Sequence, residues 1–205
     1  MTSILKLHCA DTDLYMNTEL TNSLKNVFSK INIENKNQKW VVREGIGNFI
    51  STAGLAKNKN DQEHILELDG FQPLFQWIRE QLLNNSSFLG QPDSTNIMFN
   101  HMWANIQFKD SEIRCHTHYK KHQIKNPTGV GIFYVNAPVN SGEFVVIKNG
   151  VFGTTIDEYK ENECEFIKVK SGDLIIHDSL TPHAVSKHSN DEPRVCIVFD
   201  FHYTN

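Results

Sequence analysis

The chain has 205 residues, of which 39% are hydrophobic, 10% aromatic and 21% charged. That is the make-up of a folded soluble protein with a sizeable core, and it excludes disorder and a disulfide miniprotein. A formal net charge of −4 gives no long-range attraction to polyanions and argues against a nucleic-acid partner.

Leu20, Leu24, Val27, Phe28 and Ile31 recur at helical spacing and predict a first amphipathic helix. A polar stretch from about Arg43 to Gln62, rich in Gly and Asn, reads as surface loop. Phe71, Leu74, Phe75, Ile78 and Leu82 predict a second helix, with Asp69 close to its start and Pro73 in a first turn that tolerates it.

From about Ile97 the period becomes two. Met102, Ala104, Ile106 and Phe108 alternate with Trp103, Asn105 and Gln107, as in a half-buried strand. Further strands are expected at Val130 to Val135, Phe144 to Ile147, Glu165 to Val169, Leu174 to Ile176 and Val195 to Phe201, separated by Pro, Gly and Asn. The expectation is a single domain, mainly β with supporting helices, in which residues 1–95 buttress a sandwich or barrel formed by 96–205.

Four cysteines, Cys9, Cys115, Cys164 and Cys196, form no CxxC pair and read as free thiols in a reducing cytoplasm. No apolar run approaches the ~18 residues of a membrane span, so neither a membrane nor export is expected.

Three of the ten histidines stand out. His116 and His118 are two apart, so on a strand they share a face, as two ligands of one metal must; two histidines on an exposed strand would look the same. His183 follows a strand-like Gly-Asp-Leu-Ile-Ile segment, and a late antiparallel strand can return a third ligand to the same mouth. Three ligands with open positions suit O₂ and substrate chemistry at iron. Eleven residues on, Arg194 opens an apolar strand. A guanidinium there is costly to bury without an anion, and its fork fits a carboxylate; the alternative is a salt bridge to Asp173, Asp178 or Asp200.

At these residues the sequence resembles the Fe(II)/2-oxoglutarate-dependent oxygenase superfamily, with its HxD/E pair, distal His, and Arg or Lys about ten positions later. An ordered set of segments extends the likeness to a bacterial and phage branch over roughly residues 40 to 203. The set comprises Trp103-Ala104-Asn105-Ile106, His116-Thr117-His118, Thr128-Gly129-Val130 with Phe133-Tyr134-Val135, Ser141-Gly142-Glu143-Phe144, Ser171-Gly172-Asp173-Leu174, Pro182-His183 and Arg194. The resemblance implies a double-stranded β-helix, the cupin-like jelly roll. It implies Fe(II) held by His116, His118 and His183 as catalytic centre, 2-oxoglutarate as cosubstrate held by the metal and Arg194, and O₂ at the remaining position. The implied outcome is hydroxylation of an unactivated C–H bond with release of succinate and CO₂.

Two positions depart from that pattern. The usual carboxylate is His118, as it often is in the branch compared, and a hydrogen-bonding Ser two residues after the Arg is Cys196. Three neutral imidazoles would hold a more electron-poor iron. Halogenation, which needs a small residue at the carboxylate position, is discounted.

Asn105 could donate to 2-oxoglutarate or lie on the surface. His122, within Tyr119 to Gln123, reads as loop or lid, and Asp178 as the candidate for a missing carboxylate or as a backbone cap. His8, His64, His101, His177, His188 and His202 read as structural or surface, and Cys115 and Cys196 as small buried thiols. Two rival functions stand beside the oxygenase: a three-histidine cupin-like dioxygenase independent of 2-oxoglutarate, and a non-catalytic β-sandwich binding module whose histidines carry Zn²⁺ or nothing. The expected substrate is a small molecule or an amino-acid-type group, recognised by loops at Tyr119 to Asn126 and Phe152 to Glu163. A sheet edge or the helical half could support a homodimer.

Overall fold

Period-two alternation decides which way each strand faces, and the longest strands show it most clearly. In the computed structural model, which describes residues 4–35, 45–46, 49–52, 63–119 and 127–205, a six-stranded antiparallel sheet contains β1 (Ile4–His8), β3 (Phe49–Ser51), β4 (Asn96–Gln107), β6 (Gly129–Asn136), β9 (Asp173–Asp178) and β11 (Arg194–Thr204). Its spatial order is β1-β9-β6-β11-β4-β3. A second antiparallel sheet, from β2 (Gly45–Ile46), β5 (Glu112–His116), β7 (Phe144–Ile147), β8 (Cys164–Ile167) and β10 (His183–Val185), has the order β2-β5-β10-β7-β8. The two sheets make a jelly roll, the double-stranded β-helix.

Along β11, Ile197, Phe199 and Phe201 face one way, while Cys196 and Val198 face the other, into the space between the sheets. The first set meets the helices α1 (Thr18–Asn35) and α3 (Gln72–Asn84), whose Leu20, Leu24, Phe28, Leu74, Ile78 and Leu82 are all buried in that cluster. Trp77 of α3 stands edge-on to Phe133 of β6, with ring centroids 5.9 Å apart. Gly131 has no side chain because the Phe199 ring occupies that place. The helices therefore close the outer face of the large sheet and leave its inner face to build a site. No helix of the described residues is long and apolar enough to cross a membrane.

Three short segments correct the sequence reading. Part of the stretch taken as surface loop is strand: β2 pairs with β5, and β3 pairs with Asn105 to Gln107 of β4. Thr52 is buried, its Oγ1 accepting the Ala104 N–H at 2.9 Å. Strands of two or three residues contain no period to read; the remainder of that stretch lies outside the described residues. At the N-terminus, β1 pairs with β9, too short for its Leu5/Leu7 alternation to stand out. The second helix is as read: α3 begins at Gln72, close after Asp69, with Pro73 in its first turn.

Candidate functional site

His116 is the last residue of β5 and His183 the first of β10, and the antiparallel register sets them opposite each other. Two strand ends thus meet at the mouth of the jelly roll. His118 arrives differently: β5 ends at His116, so strand alternation does not aim it. It lies past the strand, its backbone N–H bonded to Ser179 O at 3.1 Å. The three side chains each offer one ligand atom, all within 4.8 Å of one another, the compass of a single metal ion.

Their hydrogen bonds decide which atom is offered. His116 Nδ1 lies 2.9 Å from Arg114 O, and His183 Nδ1 lies 3.0 Å from Thr181 O. A carbonyl only accepts, so each Nδ1 carries the proton and Nε2 keeps the lone pair. His118 Nδ1 lies 2.6 Å from the Asp200 carboxylate, which also only accepts, so Nδ1 donates there and Nε2 is the atom turned to the site. Burial, reinforced by the neighbouring imidazoles, pushes His116 down to about 4 and His183 well below the ordinary histidine range. Both are therefore neutral at pH 7, the form that ligates.

A cavity of about 390 Å³ opens from the histidines between the sheets. On its far wall stands Arg194, 1% exposed. The guanidinium donates from Nη1 to Gly142 O at 3.2 Å and from Nη2 to Gln107 Oε1, and lies 5.7 Å from the Tyr134 ring. Its Nε and the Gln107 amide nitrogen are buried without a partner. None of the anticipated carboxylates pairs with it: Asp173 binds Lys6 and His8, Asp178 caps the Leu180 N–H at 2.8 Å, and Asp200 holds His118. Among the described residues Arg194 has no ion pair.

Asn105 and Cys196 also line the cavity. Asn105 is buried, not on the surface, because both faces of β4 are covered: one by the helices, the other by the second sheet. Its Oδ1 has no partner. Burial pushes the Cys196 thiol up to about 11, with Arg194 partly opposing, so it is a neutral thiol. Cys115 is a buried free thiol packed with Val145 and Ile147, as expected.

Two functional neighbours escaped the sequence reading. His177, read there as structural or surface, is fully buried against the site, its ring centroid 4.5 Å from that of His183. Its Nδ1 is tied to Asp178 O at 2.7 Å and its Nε2 has no partner. Parity was the available signal: His177 lies two residues after Ile175, which faces the inter-sheet space. By the same parity Asp200 follows Arg194, Cys196 and Val198. Of the two loops expected to meet substrate, Tyr119–Asn126 lies largely outside the described residues, His122 included. Residues 152–163 do not line the cavity. They form two 3₁₀ turns closed by Glu158 and Glu163 on the Thr155 and Lys160 N–H groups, and Ile156 and Tyr159 pack onto the Cys115 cluster.

Residues 101–200 match the family model described as "Putative 2OG-Fe(II) oxygenase". Residues 101–200 belong to the 2OG-Fe(II) oxygenases. That segment carries the three histidines and Arg194 and gives the protein its class, a 2-oxoglutarate-dependent oxygenase. Solved structures share the oxygenase's fold at low identity. AviO1 from Streptomyces viridochromogenes Tue57 is 10% identical over 98% of this chain and 90% of its own, with a TM-score of 0.60. A Pseudomonas putida prolyl-4-hydroxylase is 13% identical over 100% and 95%, at 0.54. HygX from Streptomyces hygroscopicus, solved with nickel, 2-oxoglutarate and hygromycin B bound, is 12% identical over 99% and 84%, at 0.52. No curated protein matches the chain.

The oxygenase's own residues fit the groups that its family requires. Three imidazoles, each with its Nδ1 committed and its Nε2 left to the site, suit a borderline divalent ion such as Fe(II). A buried, unpaired guanidinium beside an unpartnered amide suits the far carboxylate of a short diacid.

Proposed function

We propose that this oxygenase is an Fe(II)- and 2-oxoglutarate-dependent dioxygenase that hydroxylates an unactivated C–H bond of a small molecule or amino-acid-type group, with release of succinate and CO₂. Arg194 carries the reading: a buried cation without a carboxylate, across a cavity from three ligating histidines, is strongly disfavoured until an anion joins it. His116, His118 and His183 would hold the metal through Nε2, and Arg194 with the Gln107 amide would bind the distal carboxylate of 2-oxoglutarate. Asn105, beside them, would meet the cosubstrate or the substrate. When bound, Fe(II) with O₂ and 2-oxoglutarate supplies the oxidising power.

The chain's contribution is positioning and dryness. Strand β11 fixes the distance between clamp and metal site, since Arg194 and Asp200 stand on one face of one strand. Ile132, Val185 and Val198 make apolar wall, and Trp103 stacks on His118 with ring centroids 5.7 Å apart, shielding the reaction from bulk water. The cavity volume is that of a small-molecule site, which supports a substrate entering as a small molecule or a single side chain.

Calorimetric titration of 2-oxoglutarate into Mn²⁺-loaded protein tests this. Wild type is expected to bind stoichiometrically, and Arg194→Ala to bind at least about 100-fold more weakly while retaining the metal, as loss of a buried charged pair implies. Absence of binding by wild type at full metal occupancy would contradict it and favour the three-histidine dioxygenase independent of 2-oxoglutarate, to which three neutral donors are also suited.

A further inference from the structure

The three histidines are not held alike. His116 and His183 donate to backbone carbonyls, which are neutral acceptors fixed by the strands that carry them. His118 donates to a carboxylate, and it is the histidine that stands off the strand ends. With three neutral imidazoles as donors, a divalent ion in this site would meet no negative charge from its protein ligands. The carboxylate bonded to one of those ligands is Asp200.

We propose that Asp200 is a positioning residue of the metal site that supplies, through His118, the negative charge its ligands lack. The inference rests on the metal reading given above. A carboxylate on Nδ1–H fixes the tautomer, turns Nε2 toward the site and makes the imidazole a stronger donor. Asp200 is well placed for this. Its side chain is 13% exposed and that of His118 7%, so solvent screens the pair little. Trp103 lies nearly parallel to the His118 ring, at 18°, and limits its rotation. Among the described residues His101 also faces the carboxylate, its Nδ1 3.9 Å from Oδ2; it is about half exposed, and at that distance it makes no hydrogen bond that competes with His118. The arrangement also ties the two ends of the site together: β11 carries the Arg194 clamp at its start and Asp200 six residues on, both turned between the sheets.

The test separates charge from geometry and needs no turnover. Asp200→Asn keeps the shape and still accepts from His118 Nδ1–H, but carries no charge; Asp200→Glu keeps the charge. The dissociation constant for Mn²⁺ is measured by competition with a fluorescent chelator, alongside the thermal unfolding of each metal-free variant. Asp200→Asn is expected to weaken Mn²⁺ binding about 10- to 100-fold, with Asp200→Glu closer to wild type and all three proteins folded. In a His118→Asp background, where a carboxylate would touch the ion directly, Asp200→Asn is expected to cost nothing further. Equal Mn²⁺ affinity of wild type and Asp200→Asn, or a full loss in the His118→Asp background as well, overturns the proposal while leaving the metal site standing. A wild-type protein that takes up no Mn²⁺ overturns the metal reading and this inference with it.

Discussion

The four histidines clustered at the site are turned the same way. In His116, His118, His177 and His183 the Nδ1 atom is committed to an oxygen of the chain, which leaves Nε2 as the ring nitrogen without a chain oxygen. His177 and His183 are also the most completely enclosed, at 0% and 2% exposure. Burial first, and the neighbouring imidazoles second, push His177 down to about 3 and His183 well below 6.5. In the unfolded chain both return to about 6.5. Below that pH the unfolded state binds protons that the folded state refuses, so stability falls as pH drops from 6.5 toward 4 and is level above about 7. The expected loss is about 1.4 kcal/mol per pH unit for each histidine. Urea denaturation of the metal-free protein at pH 7.5 and pH 5.5 reads it directly. His177→Phe, which removes one of these buried groups and leaves His116 and His183, is expected to make the dependence shallower; a wild-type stability independent of pH across this window would refute the assignment.

At the scale of elements, alternation along two strands does most of the building. On β11 one parity packs against the helices and the other lines the cavity; β4 does the same, with Met102 and Ala104 outward and Trp103, Asn105 and Gln107 inward. That alternation was legible in the residues, as were both long helices and β7. What it did not reveal was that the polar parity of β4 faces a buried cavity instead of solvent. That depends on a second sheet whose strands β2, β5 and β10 are too short to announce themselves. The same shortness hid why His118 belongs with His116: a side chain beyond the strand end is aimed by a partner, here Asp200, and no spacing rule encodes a partner 82 positions away. Turns matter as much as strands. Gly142 has φ +90°, and a Cβ there would collide with Ser186 O and lie 3.4 Å from Arg194 Nη1, the same group that donates to the Gly142 carbonyl. Gly142→Ala is expected to cost about 1–3 kcal/mol of stability and to weaken 2-oxoglutarate binding while sparing the metal. Thermal unfolding and cosubstrate titration of the variant check both, and unchanged values would show that the turn does not support the clamp.

For the whole molecule, the division of labour is simple. Helices on the outer face of the large sheet complete one apolar core, and a second, smaller core between the sheets is interrupted by a polar seam running from the histidines to Arg194. The seam is under-satisfied: Asn105, Gln107 and Arg194 all bury polar atoms without partners. Such a protein exchanges stability for a prepared site, and a diacid that spans the seam would recover part of it. Whether the three histidines hold iron and Arg194 holds 2-oxoglutarate is answered by one optical titration. Fe(II)-loaded protein is titrated anaerobically with 2-oxoglutarate while the weak visible metal-to-ligand charge-transfer absorption is recorded, with Arg194→Ala and His118→Ala in parallel. Wild type is expected to give a saturable band, Arg194→Ala one that needs far more 2-oxoglutarate, and His118→Ala none. A wild-type protein fully loaded with iron that develops no band would contradict this reading.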